Sequence, residues 1–530
     1  MAFIRRNILI KLFSFILLIL LIFPFNSVRG ENVGNSLTIG IQSTKTLTIR
    51  PFEPLERDML SVYNVIYESL IVIDDNYLPQ GCLAESWEES SNGKIWTFHM
   101  RSDIRFSDGS QVTAQDVVAS ANYILEKARD ENTTDHGFYS NLNYFVDRIT
   151  ATDDRTVTVK AKYSKDKPRT CFGLLYEMTF PVVPASQVNM DNPLGSGPYM
   201  ITDFVAGDYM NLQANPNWWK LQPSVSQILL SFHETPSAVI ESYEYNRVDT
   251  VFTRSLASSQ YKTGTLSITM SYRTSQLECL LMNNSNAIMT PEVRKAIRYV
   301  IDRKKIINSI YSGLAVETNF PFFPGTWMYN DSLDSQFVVN VEEAKRILAD
   351  AGWEDLDDNG FLEKTNPDGT TKSLSMKLFV YEEPDNDVRV ETANLISEWL
   401  ADIGINCNVE PMTMANVAEK LSAGSFGLAL VSYSLDVCPD PGFMLIGGNT
   451  GNYCRYRSEK MTELFKQLRT SPTQEEYRQK LMEIQSRFAE DCPFMCLYFR
   501  MGNVISRYMY TTCRDVREYE LLRGIESFSP

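Results

Sequence analysis

The residues best placed to bind a charged ligand lie around Asp436. Residues 428–431 (Leu-Ala-Leu-Val) form a short apolar run typical of a buried strand. Two prolines and a glycine within 439–442 force the chain beyond that run into a loop. Tyr433 and Asp436 lie between the two. A carboxylate at the end of a buried strand can hold a cationic group through a charge-assisted hydrogen bond.

The same aspartate has a purely structural interpretation. Aspartates commonly cap turns that are rich in proline, because the carboxylate accepts hydrogen bonds from backbone N–H groups just ahead of it. From the residues alone, Asp436 is therefore either a ligand-binding carboxylate or a turn cap.

Two further loops offer polar side chains that can reach the same ligand. Residues 381–385 (Tyr-Glu-Glu-Pro-Asp) follow an apolar run, and a solvated acidic loop is the alternative interpretation. Arg389 can meet either a ligand carboxylate or these neighbouring acids. Residues 449–453 (Asn-Thr-Gly-Asn-Tyr) return the chain past the site. The candidate contacts from these loops are Tyr381, Asn449 and Tyr453.

Several kinds of chemistry lack their sequence signals. The three histidines are far apart, and no CxxC or HExxH spacing occurs. The acidic stretch 355–360 lacks a glutamate at the calcium-loop distance, which favours an ordinary turn. Gly195 and Gly197 are not followed by a third glycine at Met200, so they indicate a close backbone approach rather than a nucleotide site. With no Gly-x-Ser-x-Gly either, we expect no metal, cofactor or catalytic site.

Length and charge define the class of protein. The chain has 530 residues and a net charge of −16, with 44% hydrophobic and 22% charged residues. That length predicts roughly three domain-sized units. An acidic chain lacks the basic face that phosphate backbones require, so nucleic-acid binding is excluded.

The N-terminus has the pattern of a secretory signal. Arg5 and Arg6 precede the apolar run 12–25, and Gly30 supplies a small residue at a plausible cleavage position. We expect an exported protein, periplasmic or extracellular. If Lys11 snorkels, the segment is instead an uncleaved anchor that associates with the membrane. No cysteine lies near Gly30, so the usual N-terminal lipid anchor is not expected.

Nine cysteines leave at least one thiol unpaired in a monomer. Export permits disulfides, and Cys438 and Cys454 flank the proline-rich loop, so a bridge between them is predicted. Four others have the pattern of small buried apolar residues: Cys82, Cys171, Cys279 and Cys407.

Strands and helices alternate in the second half of the chain. Strand-like runs at 374–380 and 405–409 alternate with helical patterns at 390–403 and 414–421, ahead of the run at 428–431. Such alternation predicts a mixed or parallel sheet wound with helices, in which ligands lie beyond the carboxyl ends of the strands.

Helix starts are marked by capping residues. Thr113 with Asp116 forms a capping box, and Asn340 is a second N-cap. Thr290, with a proline at the first helical position, begins a helix predicted to run to about residue 303.

Four blocks of sequence resemble, in order and spacing, the family 5 extracellular solute-binding proteins, the peptide- and nickel-type receptors of ABC importers. The first block comprises residues 83–87 (Leu-Ala-Glu-Ser-Trp), 96–98, 106–109 and 113–117; the second 195–199 (Gly-Ser-Gly-Pro-Tyr) and 215–219; the third 291–297 and 301–303; the fourth 343–353.

The resemblance implies an α/β fold: a two-lobed periplasmic-binding-protein-like clamshell of type II, in the large class with an extra subdomain and mixed β-sheets. It implies a hinge near residues 275–279 and 497–501. The implied units are the signal or anchor 1–30, lobe I from 31–51, 193–276 and 497–530, an inserted subdomain at 52–192, and lobe II at 277–496.

The resemblance also assigns a site. Peptide binders of the family use an aspartate three residues after an aromatic, usually tryptophan, to bind the ligand's α-ammonium, and Tyr433 and Asp436 match that spacing. Met414 stands where a second pocket tryptophan is frequent. The chain has one residue more than the common pattern before Asp440. These departures imply a pocket of changed size.

The expected function is a monomeric receptor that captures oligopeptides by hinge closure and delivers them to an ABC permease. The alternatives are the same receptor for a metal chelate, an oligosaccharide or a signalling peptide, or a secreted hydrolase acting through two acids.

Overall fold

The computed structural model describes residues 36–43, 49–53, 57–132, 137–263, 267–383, 386–508 and 516–528. The predicted signal segment 1–30 lies outside them. In the described part of the chain, no helix combines the length and apolar character needed to cross a membrane.

The described residues contain nineteen β-strands. They are β1 (Ser36–Gln42), β2 (Ile71–Ile73), β3 (Pro79–Gly81), β4 (Ala84–Glu89), β5 (Ile95–Met100), β6 (Val146–Asp153), β7 (Thr156–Ala161), β8 (Tyr199–Val205), β9 (Tyr209–Ala214), β10 (Gln227–His233), β11 (Thr250–Thr253), β12 (Ile268–Met282), β13 (Ala315–Glu317), β14 (Glu363–Thr365), β15 (Thr371–Ser373), β16 (Ser375–Tyr381), β17 (Asn406–Met412), β18 (Leu428–Ser434) and β19 (Phe494–Ser506).

Helices connect the strands and cover the sheets. The α-helices are α1 (Arg57–Tyr63), α2 (Ala114–Arg129), α3 (Leu142–Phe145), α4 (Pro236–Glu244), α5 (Pro291–Val300), α6 (Arg303–Ser309), α7 (Val341–Asp350), α8 (Val388–Ala401), α9 (Met414–Ala423), α10 (Gly442–Leu445), α11 (Glu459–Leu468) and α12 (Gln474–Asp491). Short 3₁₀ turns occur at Phe138–Asn141, Phe172–Thr179, Ala185–Gln187, Leu256–Thr263, Asp331–Phe337 and Ile525–Ser527.

One mixed sheet of eleven strands runs through the molecule, in the order β17-β16-β18-β12-β19-β11-β1-β10-β9-β8, with β13 paired to β19. β16 is parallel to β17 and β18, and β1 is parallel to β10 and β11, whereas the other pairs are antiparallel. The sheet therefore has two halves, each with a parallel group of three strands. One group is β16, β17 and β18, and the other is β1, β10 and β11.

The two halves are joined by β12 and β19, which are long enough to belong to both. Residues 277–281 of β12 pair in one half, and residues 268–273 pair in the other. The register shifts between Arg273 and Leu277, opposite residues 499–501 of β19. Such irregularities bend strands locally, and this one lies where the hinge is predicted. The sequence indicates a return strand at 493–499 and a separate run at 504–510. In the structure β19 is one continuous strand, Phe494–Ser506.

The segment 52–192 carries its own four-stranded antiparallel sheet, in the order β4-β5-β7-β6. Trp96, Phe98, Val157 and Val159 alternate into its buried face, and α2 packs behind with Val117 and Ala121. The inserted position and the domain limits remain predictions.

Most predicted element types match the structure, with shifts at the ends. Thr113 and Asp116 form the capping box, and Asn340 caps α7 through the N–H of Glu343. The Thr290 helix ends at Val300 rather than near residue 303. It ends there because Asp302 accepts a hydrogen bond from the N–H of Lys305 and begins a separate helix, α6.

Gly195 occupies a place that no side chain fits. A Cβ atom there would lie 2.0 Å from the carbonyl oxygen of Ile66, and one on Gly197 would lie 2.6 Å from that of Val65. The Gly197 N–H donates to the Ile66 carbonyl at 2.9 Å. The predicted close backbone approach is therefore confirmed, and it packs this turn against the residues that follow α1.

Replacing Gly195 by alanine should destabilise the protein, because backbone rather than a movable side chain blocks the methyl group. We expect Gly195→Ala to lower the free energy of unfolding by about 1–3 kcal/mol, measured as a fall in the urea midpoint. The matched control is Gly447→Ala, where the nearest atom to a new Cβ is 3.4 Å away. Equal midpoints for the two variants contradict the close-approach account.

Candidate functional site: a carboxylate-lined cleft between the lobes

The loop that carries Asp436 begins where β18, the third strand from one end of the large sheet, ends. β18 lies between β16 and β12, and Leu428, Ala429 and Leu430 are fully buried. Ser434 is its last residue and pairs with Gln276 of β12. The Leu435 N–H then donates to the Ser275 carbonyl at 2.9 Å. The loop therefore starts beside the predicted hinge.

One buried ion pair fixes the far end of this loop. Asp440 Oδ2 lies 2.7 Å from Arg169 Nη1 and 2.7 Å from Arg469 Nε, and its Oδ1 accepts from Arg469 Nη2 at 2.9 Å. Only 7% of the Asp440 side chain is exposed. Burial would raise the pKa of this carboxyl, but the charges of Arg469 and Arg169 outweigh burial and hold the pKa well below its ordinary value.

This ion pair also joins distant parts of the chain. Arg169 lies in the segment 52–192, whereas Asp440 and Arg469 lie in the segment 277–496. Other contacts cross the same boundary: Phe172 N–H donates to the Ser471 carbonyl at 2.9 Å, and Trp327 Nε1 donates to the Tyr77 carbonyl at 3.0 Å. The segments 52–192 and 277–496 are therefore in contact, as in a closed clamshell.

A cleft of about 1350 Å³ lies between the two walls. Residues of 141–177 form one wall and residues of 434–469 form most of the other. The lining side chains that matter below are Asn141, Tyr144, Tyr163 and Glu177 on the first wall, and Asp436, Phe443 and Asn449 on the second.

Asp436 faces this cleft. Its Oδ1 accepts from the Val437 N–H at 2.6 Å, and its Oδ2 accepts from Asn141 Nδ2 on the opposite wall at 3.3 Å. The residue stays accessible to the water of the cleft, while the protein around the carboxylate disfavours its charge and raises its pKa above the ordinary value. Among the described residues, Asp436 has no ion-pair partner.

Glu177 is a carboxylate of the opposite wall that sequence reasoning missed. It lies in the 3₁₀ turn Phe172–Thr179 and lines the same cleft. Burial, followed by the negative charges of Asp436 and Asp440, raises the pKa of Glu177 well above its ordinary value, and Arg169 opposes that rise. The available signal was a single acid within the apolar stretch 171–183.

The predicted aromatic residues near Asp436 lie behind the loop. Tyr433 is the sixth residue of β18 and is 8% exposed; its hydroxyl donates to the Gly451 carbonyl at 2.9 Å. Its ring stacks on Tyr453 at 6.4 Å and meets Phe443 at 5.9 Å. Asn449 lines the cleft, and its Nδ2 donates to the Gly442 carbonyl at 2.9 Å. Tyr433 and Tyr453 support the loop, and their contact with ligand stays a prediction.

Met414 and Tyr381 lie apart from the residues that line the cleft. Met414 begins α9 and is 63% exposed. Tyr381 ends β16, and its ring lies 4.0 Å from the Arg389 guanidinium. Their contact with ligand also stays a prediction.

Arg389 pairs with protein acids, in agreement with one of its two interpretations. Its guanidinium contacts both oxygens of Glu278 on β12 and lies 2.9 Å from Glu383. Arg500 on β19 lies 2.7 Å from Glu278 and 2.8 Å from Glu383. Glu383 is thus tied to Arg389 and to Arg500 of β19, whereas Glu382 is exposed.

The predicted disulfide between Cys438 and Cys454 is wrong. Both are free thiols. Cys438 Sγ points to the Gly173 carbonyl across the wall boundary at 3.8 Å, whereas Cys454 Sγ contacts Asn452 Oδ1 at 3.3 Å. The two sulfurs have separate partners, and the loop is held by Asp440 instead. Cys82, Cys171, Cys279 and Cys407 are buried thiols, as predicted.

In the folded chain, Glu363 lies beside the aspartates of the acidic turn at 355–360. Asp355, Asp357 and Glu363 offer carboxylate oxygens within 4.8 Å of one another. Backbone N–H groups of Asn359 and Gly360 donate to Asp355, and that of Leu356 donates to Glu363. These hydrogen bonds account for the turn itself.

Comparison with known sequences identifies relatives along most of the chain. The profile "Bacterial extracellular solute-binding proteins, family 5 Middle" matches residues 79–453. Oligopeptide-binding protein AppA of Bacillus subtilis is 23% identical over 483 residues, covering 87% of this chain and 86% of the relative. Heme-binding protein A of Haemophilus influenzae is 22% identical over 394 residues, covering 70% and 69%.

Solved structures share the fold. AppA from Bacillus subtilis in complex with a nonapeptide has a TM-score of 0.66 at 21% identity, covering 93% of this chain and 98% of that chain. NikA from Brucella suis in complex with Fe(III)-EDTA has a TM-score of 0.76 at 18% identity, covering 93% and 99%. The predicted α/β two-lobed clamshell is confirmed.

Replacing Asp440 by asparagine should weaken the closed arrangement, because it leaves two buried guanidinium groups without their counter-charge. At pH 7 we expect Asp440→Asn to lower the free energy of unfolding by about 3 kcal/mol, measured by urea denaturation. Asp147→Asn is the control, since its ion pair with Lys160 is exposed and is worth under about 1 kcal/mol.

The same variant predicts a pH dependence. The pKa of Asp440 is lower in the folded chain than its ordinary value of 3.8. The stabilisation is therefore complete above that value and is lost as the pH falls below it. The difference between parent and Asp440→Asn should stay constant from pH 7 to about 4 and shrink below. A difference that persists unchanged at pH 2.5 contradicts the ion-pair account.

Proposed function

The chain belongs to the family 5 bacterial extracellular solute-binding proteins, and from this premise we propose that it captures oligopeptides in its interlobe cleft and delivers them to a membrane ABC permease. As a member of a family of binding receptors it is not an enzyme, so the hydrolase alternative is discarded. The observation that carries the peptide assignment is Asp436, a carboxylate that faces the cleft without a counter-cation among the described residues.

Asp436 is the group proposed to hold the ligand's α-ammonium. An ammonium donates up to three hydrogen bonds, and Asp436 keeps acceptor capacity beyond its contacts with Val437 and Asn141. Since the surrounding protein disfavours the bare charge of this carboxylate, a cation that binds there stabilises that charge.

The size and walls of the cleft support a ligand longer than one amino acid. Pockets for drug-sized ligands measure roughly 300–1000 Å³, and this cleft measures about 1350 Å³. Tyr144 and Tyr163 are 61% and 54% exposed on one wall, and Phe443 is 37% exposed on the other. Exposed rings at a cleft offer apolar area to side chains of varied shape, which suits a receptor for mixed peptides.

The proposed mechanism is closure around the ligand. Both connecting strands pass the predicted hinge, which permits rotation of the lobes and prevents their separation. Asn141 of one wall donates a hydrogen bond to Asp436 of the other at 3.3 Å, so a ligand bound to Asp436 lies beside both walls. Because such a ligand binds the closed state better than the open one, it shifts the population toward closure, and the permease then meets a changed surface.

An anionic ligand fits this cleft less well. Some relatives are named for nickel or heme, and a metal chelate with free carboxylates is negatively charged. Asp436 and Glu177 would repel it, and the hydrogen-bond donors of Arg169 and Arg469 are directed at Asp440. Lysines also line the cleft, but none of them is among the charges that act on Asp436 or Glu177. The surroundings of these two carboxylates therefore favour a peptide's cationic end.

Location and assembly follow the sequence predictions. We propose that residues 1–30 direct export as a signal peptide or anchor the chain at the membrane, and that the receptor is a monomer.

The α-ammonium assignment predicts a selective loss. Asp436→Asn should weaken binding of tetra-alanine, which has a free N-terminus, by about 10–100-fold, since charged hydrogen bonds contribute roughly 1.5–3 kcal/mol. It should leave the weaker binding of N-acetyl-tetra-alanine almost unchanged. Isothermal titration calorimetry measures both affinities, and the exposed helix-end variant Asp402→Asn is the control. If Asp436→Asn weakens both peptides equally, the assignment fails.

A further inference from the structure

Two carboxylates face the cleft from opposite walls, and only one of them is needed for an α-ammonium. Asp436 stands at the end of β18, and Glu177 stands in the turn Phe172–Thr179. Both line the same open volume of about 1350 Å³. The negative charge of Asp436 is one of the causes that raise the pKa of Glu177. The two acids therefore interact electrostatically across the cleft.

Glu177 lacks the partners that a structural carboxylate has. Within the described ranges it makes no hydrogen bond or ion pair, while neighbouring Asp440 has two arginines and a backbone N–H. The cation that acts on Glu177 is Arg169, whose guanidinium already pairs with Asp440. A carboxylate in dense protein surroundings without its own counter-charge is costly to keep ionised. A cation brought by the ligand removes that cost.

Apolar residues surround Glu177 in its own segment, which argues against a role in holding the fold. Leu174, Leu175, Tyr176 and Met178 are buried around it, whereas Glu177 itself is partly exposed to the cleft. The acid is therefore directed at what enters the cleft.

We propose that Glu177 and Asp436 form a two-carboxylate cation subsite that selects peptides whose first residue is lysine or arginine. The inference rests on the proposed peptide function. Asp436 takes the α-ammonium, and Glu177, from the opposite wall, takes the ammonium or guanidinium of the first side chain. Such a ligand carries two positive charges at one end and contacts both walls, so its binding is coupled to closure.

The test compares two peptides that differ in one charge. Lysyl-tetra-alanine and norleucyl-tetra-alanine have side chains of nearly equal length, with and without the terminal ammonium. Calorimetric titration of the parent should show about tenfold or tighter binding of the lysyl peptide. Glu177→Gln should abolish this preference by weakening the lysyl peptide about tenfold, and it should leave the norleucyl peptide within about threefold.

Matched variants separate the outcomes. Glu398→Gln, an exposed glutamate of α8, should leave both affinities unchanged. Asp436→Asn should weaken both peptides, because both have an α-ammonium. Retained norleucyl binding by Glu177→Gln shows that the variant is folded, so a lost preference then reports on charge alone.

Three results overturn the inference. Equal affinities of the parent for the two peptides, with Asp436→Asn still weakening both, refute the subsite and leave the proposed peptide function intact. A parallel loss of both peptides in Glu177→Gln assigns Glu177 to the fold rather than to selection. Absence of binding of either peptide to the parent refutes the proposed function, and the subsite with it.

Discussion

The buried Asp440 carboxylate between Arg169 and Arg469 is the interaction on which the site depends. It joins residues 271 positions apart and ties the segment 52–192 to the second half of the large sheet. It also ends the loop that presents Asp436, which the proline-rich sequence alone leaves without regular hydrogen bonds. Both guanidinium groups point their N–H donors at Asp440, so neither forms an ion pair with Asp436 or Glu177 in the described part of the chain, although the charge of Arg169 still lowers the pKa of Glu177.

That distribution of charge determines which ligands the Asp436 and Glu177 carboxylates favour. Asp436 and Glu177 face each other from opposite walls, and dense surroundings raise the pKa of each. Closing the walls without a ligand therefore brings together two carboxylates that have no ion pair among the described residues. A cationic ligand removes this penalty, so its charge favours the closed state as well as its own binding. The second ion-pair group, Glu278 with Arg389 and Arg500, keeps the loop after β16 attached to the connecting strands.

Local features of the fold could be predicted from the sequence because local interactions determine them. The capping box at Thr113, the N-cap at Asn340 and the close approach at Gly195 each depend on a few neighbouring groups. The continuity of β19 was missed because pairing with β12 and β11 overrides a glycine and polar residues at its centre.

The site was predictable only in part. Asp436 and Asn449 lie on the cleft, and the resemblance to a family located Asp436. Glu177 could not be placed, since its distance from residue 436 in sequence is large and a lone acid in an apolar stretch has no spacing to interpret. The Cys438–Cys454 bridge was wrong for a related reason: sequence proximity across a loop does not determine which way each sulfur points.

Mass spectrometry of the ligand that co-purifies with the protein tests the central claim most directly, because it requires no assumption about the ligand. The account predicts oligopeptides with free N-termini, enriched in lysine or arginine at the first position relative to the peptides of the growth medium. A saccharide, a metal chelate or N-blocked peptides in the cleft contradict it.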